Sequence, residues 1–120
     1  DLTIFIDVGP EIITGSTRMK AGTATKMVLN MISTATMIRL GKVYGNLMVD
    51  LMAVNEKLVD RGIRIIQDFT NLNFKDSRRI LVAAKMSVKT ALVMVKKDCN
   101  LDVAEKLLLD ANGFLRDVID

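Results

Sequence analysis

The strongest constraint on the fold is one strand-like segment that precedes an otherwise helical chain. Residues 2–8 read LTIFIDV, a β-branched and aromatic run that Gly9 and Pro10 end. A run this short and apolar predicts a strand buried on both faces, as in a parallel sheet. A lone strand leaves backbone groups unpaired on both edges, so its partner strands must come from another segment or another chain. We therefore expect this 120-residue chain to be a piece of a longer α/β protein.

Helical patterns fill most of the remaining sequence. The segment 15–17, Gly-Ser-Thr, predicts a tight turn and a helix N-cap. The helix that follows carries an apolar stripe with members three or four residues apart: Ala24, Met27, Met31, Ala35 and Ile38. Residues 43–54 show no clean period and give no confident assignment. Asn55 predicts the start of a second amphipathic helix, which continues to Thr70.

Three short helices are predicted in the last part of the chain, at about residues 74–84, 87–97 and 101–111. Asn73, Ser87 and Asn100 are placed to cap them. Their apolar spacing predicts a compact three-helix subdomain over residues 71–120. The predicted core consists of Leu81, Ala84, Val88, Leu92, Val95 and Leu108.

Composition excludes several classes of site. There is no histidine, and Cys99 is the single cysteine, so His-based triads and Cys/His zinc sites are excluded. We expect neither a metal nor a cofactor, and a cytoplasmic setting. The net charge of +3 is mild, and the basic pairs lack interleaved aromatic residues, so no nucleic-acid partner is expected. No uncharged stretch approaches the length of a membrane span, so no membrane partner is expected either.

The loop at residues 9–20 concentrates the residues that could carry chemistry. It follows the predicted strand and opens a long helix, which is where open α/β sheets bind ligands. Its glycine permits close approach, its hydroxyl groups suit a polar ligand, and its basic residues favour an anion at the helix start. Its carboxylate suits sugar hydroxyls or proton transfer. These side chains are Glu11, Thr14, Ser16, Thr17, Arg18 and Lys20, with Gly15 between them. Capping and solvation alone explain the same residue types, and spacing does not decide between the two interpretations.

The residues themselves are more specific. GPEIITGSTRMKAGTATK resembles the signature of the N-acetylmuramic acid 6-phosphate etherases and of the related glucokinase regulatory protein, in the sugar-isomerase (SIS) phosphosugar-binding superfamily. The resemblance continues through MVLNMISTATMIRLGKVYGNLMVD, VNEKLV and SVKTALVM, and is closer to the bacterial etherases than to the animal regulator. It implies that residues 1–70 form the last strand and long helices of a SIS-type parallel-sheet domain. Residues 71–120 would then form a small helical bundle similar to ubiquitin-associated domains.

The resemblance also implies an activity for the complete protein. The etherases are carbon–oxygen lyases of cell-wall recycling that convert N-acetylmuramic acid 6-phosphate to N-acetylglucosamine 6-phosphate and D-lactate, without a metal or cofactor. In the family, the phosphate loop and the catalytic glutamates lie upstream of this segment. No catalytic residue is therefore assigned here, and we expect the 120-residue chain alone to be inactive.

The same resemblance implies a phosphosugar site and a homodimer. The residues that match the family motif and are expected to bind substrate are Glu11, Thr14, Gly15, Ser16, Thr17 and Lys20. The alternative function is a non-catalytic sugar-phosphate-binding regulator similar to glucokinase regulatory protein. Both functions need the same sugar-binding loop, so this segment alone does not separate them.

Overall fold

A computed structural model describes residues 2–120 and divides the chain into two compact units, with the boundary between Met37 and Ile38. The first unit contains an irregular segment followed by helix α1 (Lys20–Arg39), whose last two residues fall in the second unit. No residue of α1 is buried, and Met27 and Met31 of its predicted apolar stripe are each 58% exposed. The helix agrees with the prediction, but its predicted apolar stripe is exposed except for the half-buried Ala24.

The strand predicted at residues 2–8 is not formed. These residues lie outside every helix and strand, and all except the half-buried Val8 are exposed. A strand requires hydrogen bonds to a neighbouring strand, and residues 2–120 provide no such neighbour for this segment. The structure of residues 2–120 therefore shows no strand at residues 2–8, and the strand stays a prediction for a protein that supplies its neighbours.

The second unit begins with a small hairpin in the region that the sequence left unassigned. Strands β1 (Val43–Tyr44) and β2 (Leu47–Met48) pair antiparallel, with Val43 opposite Met48 and Tyr44 opposite Leu47. Gly45 opens the two-residue turn with a φ of +59°, a left-handed conformation that tight hairpins favour at this position.

Five helices complete the second unit: α2 (Glu56–Phe69), α3 (Phe74–Ala83), α4 (Val88–Lys96), α5 (Leu101–Asp110) and α6 (Leu115–Ile119). The predicted caps are confirmed. The side chains of Asn55, Asn73, Ser87 and Asn100 each accept the backbone N–H three residues further on. Helix α6 lies beyond the three short helices that the sequence predicts for the last part of the chain, and no side chain caps it.

Helix α4 is the centre of the second unit and packs against α2, α3, α5 and α6. Its residues from Val88 to Met94 are all buried. Of the six predicted core residues, Val95 is half-buried and the other five are buried. Gly62 of α2 permits the close approach of these helices, because a Cβ there would come within 2.9 Å of Cγ2 of Val88.

The chain as described is mostly helical, with one two-stranded sheet. Helix α2 belongs to the same compact unit as α3–α6, so the observed division at Met37 differs from the predicted boundary between residues 70 and 71. That boundary stays a prediction for the complete protein. Among residues 2–120, none of the helices has the length and apolarity needed to cross a membrane.

Candidate functional site

The loop that precedes α1 is held closed by Glu11. Its Oε2 accepts the backbone N–H of Lys20 and its Oε1 accepts that of Ala21, each at 3.0 Å. These are the first two residues of α1, where backbone N–H groups lack partners within the helix. The carboxylate therefore caps the helix and also faces the positive end of its dipole.

The environment of Glu11 favours its charged form. The hydrogen bonds from the amides of Ala21 and Lys20, in that order of importance, hold the pKa of Glu11 below its ordinary value of 4.5. The positive charge of Lys20 acts in the same direction. Glu11 is thus a carboxylate with both oxygens occupied, an arrangement that suits structural support better than proton abstraction.

The side chain of Lys20 makes a further contact between the two ends of the loop. Its Nζ donates to the carbonyl oxygen of Pro10 at 2.9 Å. Next to this contact, Gly9 has a φ of +63°, and its N–H donates to Oδ1 of Asp7 at 2.9 Å. Three hydrogen bonds consequently join residues 10–11 to residues 20–21 and fix the two ends of the loop.

Between these ends, the chain forms a tight turn at Gly15. The N–H of Ser16 donates to the carbonyl oxygen of Ile13 at 3.0 Å, and Gly15 has a φ of +83° at the third position of this turn. A type II turn requires a positive φ there, which favours glycine. A Cβ at Gly15 would meet nothing within 4 Å. The glycine is therefore needed for its conformation, and the space above it is open to a ligand.

The three hydroxyl residues of the loop lie around this turn. Ser16 is half-buried, whereas Thr14 and Thr17 are exposed. Their backbone groups participate in the entry to α1: Ser16 O accepts the N–H of Met19 at 3.2 Å, and Thr17 O accepts that of Gly22 at 2.8 Å. Within residues 2–120 their hydroxyl groups make no hydrogen bond. They are available to pair with hydroxyl or phosphate oxygens of a ligand.

The predicted N-cap at residues 15–17 is wrong. The helix begins at Lys20, beyond the predicted cap, and its first amides are satisfied by Glu11. This function of Glu11 has no local signal in the sequence, because the N–H groups that its carboxylate accepts lie nine and ten residues further on. A capping box joins positions only three residues apart and gives no signal for such a contact.

The structure thus brings all six expected substrate-binding residues into one loop, but in two roles. Glu11 and Lys20 form the closure, and the segment 14–17 forms the turn that it closes. Among the described residues, no three His, Cys, Asp or Glu side chains are grouped so that they could hold a metal ion.

Sequence comparisons show what this chain resembles. No protein-family model matches it. It is 54% identical over 116 residues to N-acetylmuramic acid 6-phosphate etherase from Oceanobacillus iheyensis, covering 97% of this chain and 40% of that relative. The etherase from Bacillus subtilis is 53% identical over 120 residues, covering 100% and 40%, and that from Clostridium acetobutylicum is 52% identical over 119 residues, covering 99% and 39%.

The chain therefore spans about two fifths of the length of these curated relatives and corresponds to their C-terminal portion. This similarity confirms the resemblance to the etherases that the loop motif indicated. All three relatives carry the etherase name.

Proposed function

We propose that this chain is the C-terminal part of an N-acetylmuramic acid 6-phosphate etherase. The observation that carries the proposal is identity above 50% along nearly the whole chain to relatives with that name. The complete protein would be a carbon–oxygen lyase that converts N-acetylmuramic acid 6-phosphate to N-acetylglucosamine 6-phosphate and D-lactate. Its setting would be cytoplasmic recycling of cell-wall amino sugars.

The proposed reaction is an elimination followed by hydration. A carboxylate removes the proton beside the sugar aldehyde, the ether bond breaks, and D-lactate leaves; water then adds to the resulting double bond. We propose that the catalytic carboxylates come from the part of the protein outside this chain. The arrangement of Glu11 supports this view, because both its oxygens already accept backbone N–H groups.

We propose that the turn at residues 14–17 forms one wall of the sugar site. The support is the open space above Gly15 and the hydroxyl groups of Thr14, Ser16 and Thr17, which have no partner among the described residues. Hydroxyl groups and exposed turn amides are suitable partners for sugar hydroxyls, which both donate and accept. Lys20, at the end of the same loop, would add a positive charge close to an anionic substrate.

The exposed apolar surface of the first unit supports the rest of the proposed architecture. Residues 2–8 would join a SIS-type parallel sheet whose other strands lie outside this chain. Met27 and Met31 of α1 would be covered by that domain or by the second subunit of a homodimer. Residues 71–120 would form the bundle similar to ubiquitin-associated domains.

The proposed activity is tested with the complete protein and N-acetylmuramic acid 6-phosphate. We expect D-lactate and N-acetylglucosamine 6-phosphate to appear in equal amounts, and we expect no D-lactate from residues 1–120 alone. A complete protein that binds the sugar phosphate but releases no D-lactate would instead be the regulator. Binding and lactate release are therefore measured on the same preparation.

A further inference from the structure

We propose that Glu11 is a positioning residue, which holds the sugar-binding turn in shape by fastening the start of its loop to the first amides of α1. The inference rests on the proposed function of residues 14–17. It assigns to Glu11 a role through the loop, without contact with the sugar and without transfer of the substrate proton.

Both carboxylate oxygens of Glu11 are held against the start of α1. One carboxylate oxygen lies 3.0 Å from the N–H of Lys20 and the other 3.0 Å from that of Ala21. Both contacts are charge-assisted, and both satisfy helix N–H groups that would otherwise lack a partner. Each oxygen keeps a second lone pair, so what the two bonds fix is the position of the carboxylate against the start of α1.

The conformation of the turn depends on the three hydrogen bonds that join the two ends of the loop. Inside the loop, the bonds from Ser16 to Ile13 and from Met19 to Ser16 join residues three apart and act only locally. The contacts that join its two ends are those of Glu11 and the bond from Lys20 Nζ to the carbonyl oxygen of Pro10. Without them, the segment 12–19, which is exposed except for the half-buried Ser16 and Met19, would sample many conformations before binding. The turn would then have to be ordered when the sugar binds, and this entropy cost weakens binding and raises KM.

The environment of Glu11 does not suit a general base. A general base is most effective when its pKa lies near the operating pH. The backbone hydrogen bonds from Ala21 and Lys20 instead hold the pKa of Glu11 below the ordinary glutamate value. The same contacts that make Glu11 a good helix cap therefore make it a poor base.

The test is a comparison of Glu11→Gln, Glu11→Ala and Lys20→Met in the complete protein, with steady-state release of D-lactate as the readout. Gln retains one acceptor, Ala retains none, and Lys20→Met removes the bond to Pro10 but keeps the backbone N–H of residue 20. We expect KM to rise about tenfold for Glu11→Gln, because this variant loses one charge-assisted bond. KM should rise further for Glu11→Ala, because that variant loses both. We expect kcat to change by less than about threefold in the Gln variant. Lys20→Met should raise KM as well, and Lys26→Met, on the exposed surface of α1, should match the wild type.

Two results would overturn the inference. If Glu11→Gln abolishes kcat as completely as Glu11→Ala while KM stays unchanged, Glu11 acts on the reacting atoms. If both variants keep wild-type kinetics, the closure has no influence on the site.

A separate measurement distinguishes failure of the inference from failure of the proposed function. Amide hydrogen exchange of residues 20 and 21 in the complete protein reports the closure without turnover, and we expect faster exchange in both Glu11 variants. If the wild-type protein releases no D-lactate, the proposed function fails, and affinity for N-acetylglucosamine 6-phosphate replaces KM in the same comparison. Unchanged exchange would contradict the closure itself.

Discussion

The ammonium group of Lys89 lies 3.0 Å from the carbonyl oxygen of Gly41, a residue 48 positions earlier in the chain. The same Nζ donates to the carbonyl oxygen of Gly113 at 2.9 Å and lies 3.4 Å from Oδ1 of Asp50. Lys89 is only 8% exposed, and buried charges are tolerated when they are paired and hydrogen-bonded in this way. One side chain of α4 thus joins three separate segments of the second unit.

We expect Lys89→Met to destabilise the protein. Met preserves most of the apolar stem but leaves two carbonyl oxygens without their donor. The free energy of unfolding should fall by at least about 1.5–3 kcal/mol, the worth of one charge-assisted hydrogen bond. Urea denaturation measures the change.

The matched control is Lys106→Met, because Lys106 is exposed on α5 and has no ion pair among the described residues. That variant should stay within about 0.5 kcal/mol of the wild type. Equal stability of the two variants would show that the contacts of Lys89 have no net effect.

Asp50 makes the stability of the same network dependent on pH. Burial alone would raise the pKa of this carboxyl, but the hydrogen bond from Lys42 and the charges of Lys89 and Lys42 lower it below the ordinary value of 3.8. A carboxylate with a lowered pKa in the folded state stabilises the protein above the unfolded-state pKa. This contribution should begin to disappear as the pH falls to about 3.8 and be gone below the lowered pKa.

The measurement is the midpoint of urea denaturation between pH 7 and pH 2, for the wild type and for Asp50→Asn. Since Asn does not titrate, the variant should be less stable at pH 7 and should lose less stability on acidification. Asp68→Asn is the control, because Asp68 is exposed and forms no ion pair among residues 2–120. A wild-type profile in Asp50→Asn would contradict the prediction.

Ser77 is expected to destabilise the fold that contains it. It is fully buried in α3, and its Oγ has no hydrogen-bond partner in the described part of the chain. An unsatisfied buried polar group costs about 1–3 kcal/mol, and alanine also has the higher helix propensity. Ser77→Ala should therefore raise the free energy of unfolding by about 1 kcal/mol.

Ser87→Ala provides a control of opposite sign. The Ser87 side chain caps α4 by accepting the N–H of Thr90, and loss of such a cap costs about 1 kcal/mol. If Ser77→Ala is also destabilising, the hydroxyl of Ser77 has a function in packing or hydrogen bonding that its isolation does not indicate.

Helices α2 to α5 of the second unit could be predicted because the start of each is specified by neighbouring residues, whereas α6 has no side-chain cap. Asn55, for example, is followed by an apolar pattern, and its side chain bonds to the N–H of Leu58, three residues further on. The network of Lys89 could not be predicted in this way. Its acceptors lie 48 and 24 residues away, and their proximity depends on how α4 packs within the unit.

The candidate site shows the same limit within one loop. The glycine, hydroxyl and charged residues ahead of a helix indicated the loop, and the resemblance to the etherases supplied the six residues expected to bind substrate. The role of Glu11 as the cap could not be predicted from the sequence. It depends on how the loop folds back so that residue 11 meets the first two residues of α1. Residues 2–8 form no strand for a related reason, since a strand is specified by its neighbouring strands as much as by its own side chains.

Ser16 gives the sharpest test of the sugar site. Because Glu11 caps α1, removal of the Ser16 hydroxyl should have little effect on the helix. We expect Ser16→Ala in the complete protein to keep the wild-type free energy of unfolding within about 0.5 kcal/mol. We expect the same variant to bind N-acetylglucosamine 6-phosphate less tightly, by about three- to tenfold, the worth of one neutral hydrogen bond.

Ser16→Asp separates a ligand contact from a cap. If Ser16 capped the helix, Asp would replace it, because aspartate caps as well as serine. If Ser16 contacts an anionic sugar, Asp should weaken binding further than Ala, since the added carboxylate repels the phosphate and also lacks a hydroxyl donor. Calorimetric titration with N-acetylglucosamine 6-phosphate measures both variants, with Thr25→Ala on the exposed surface of α1 as the control. Wild-type affinity in Ser16→Asp would place the sugar elsewhere and would refute the assignment of residues 14–17 to the wall of the site.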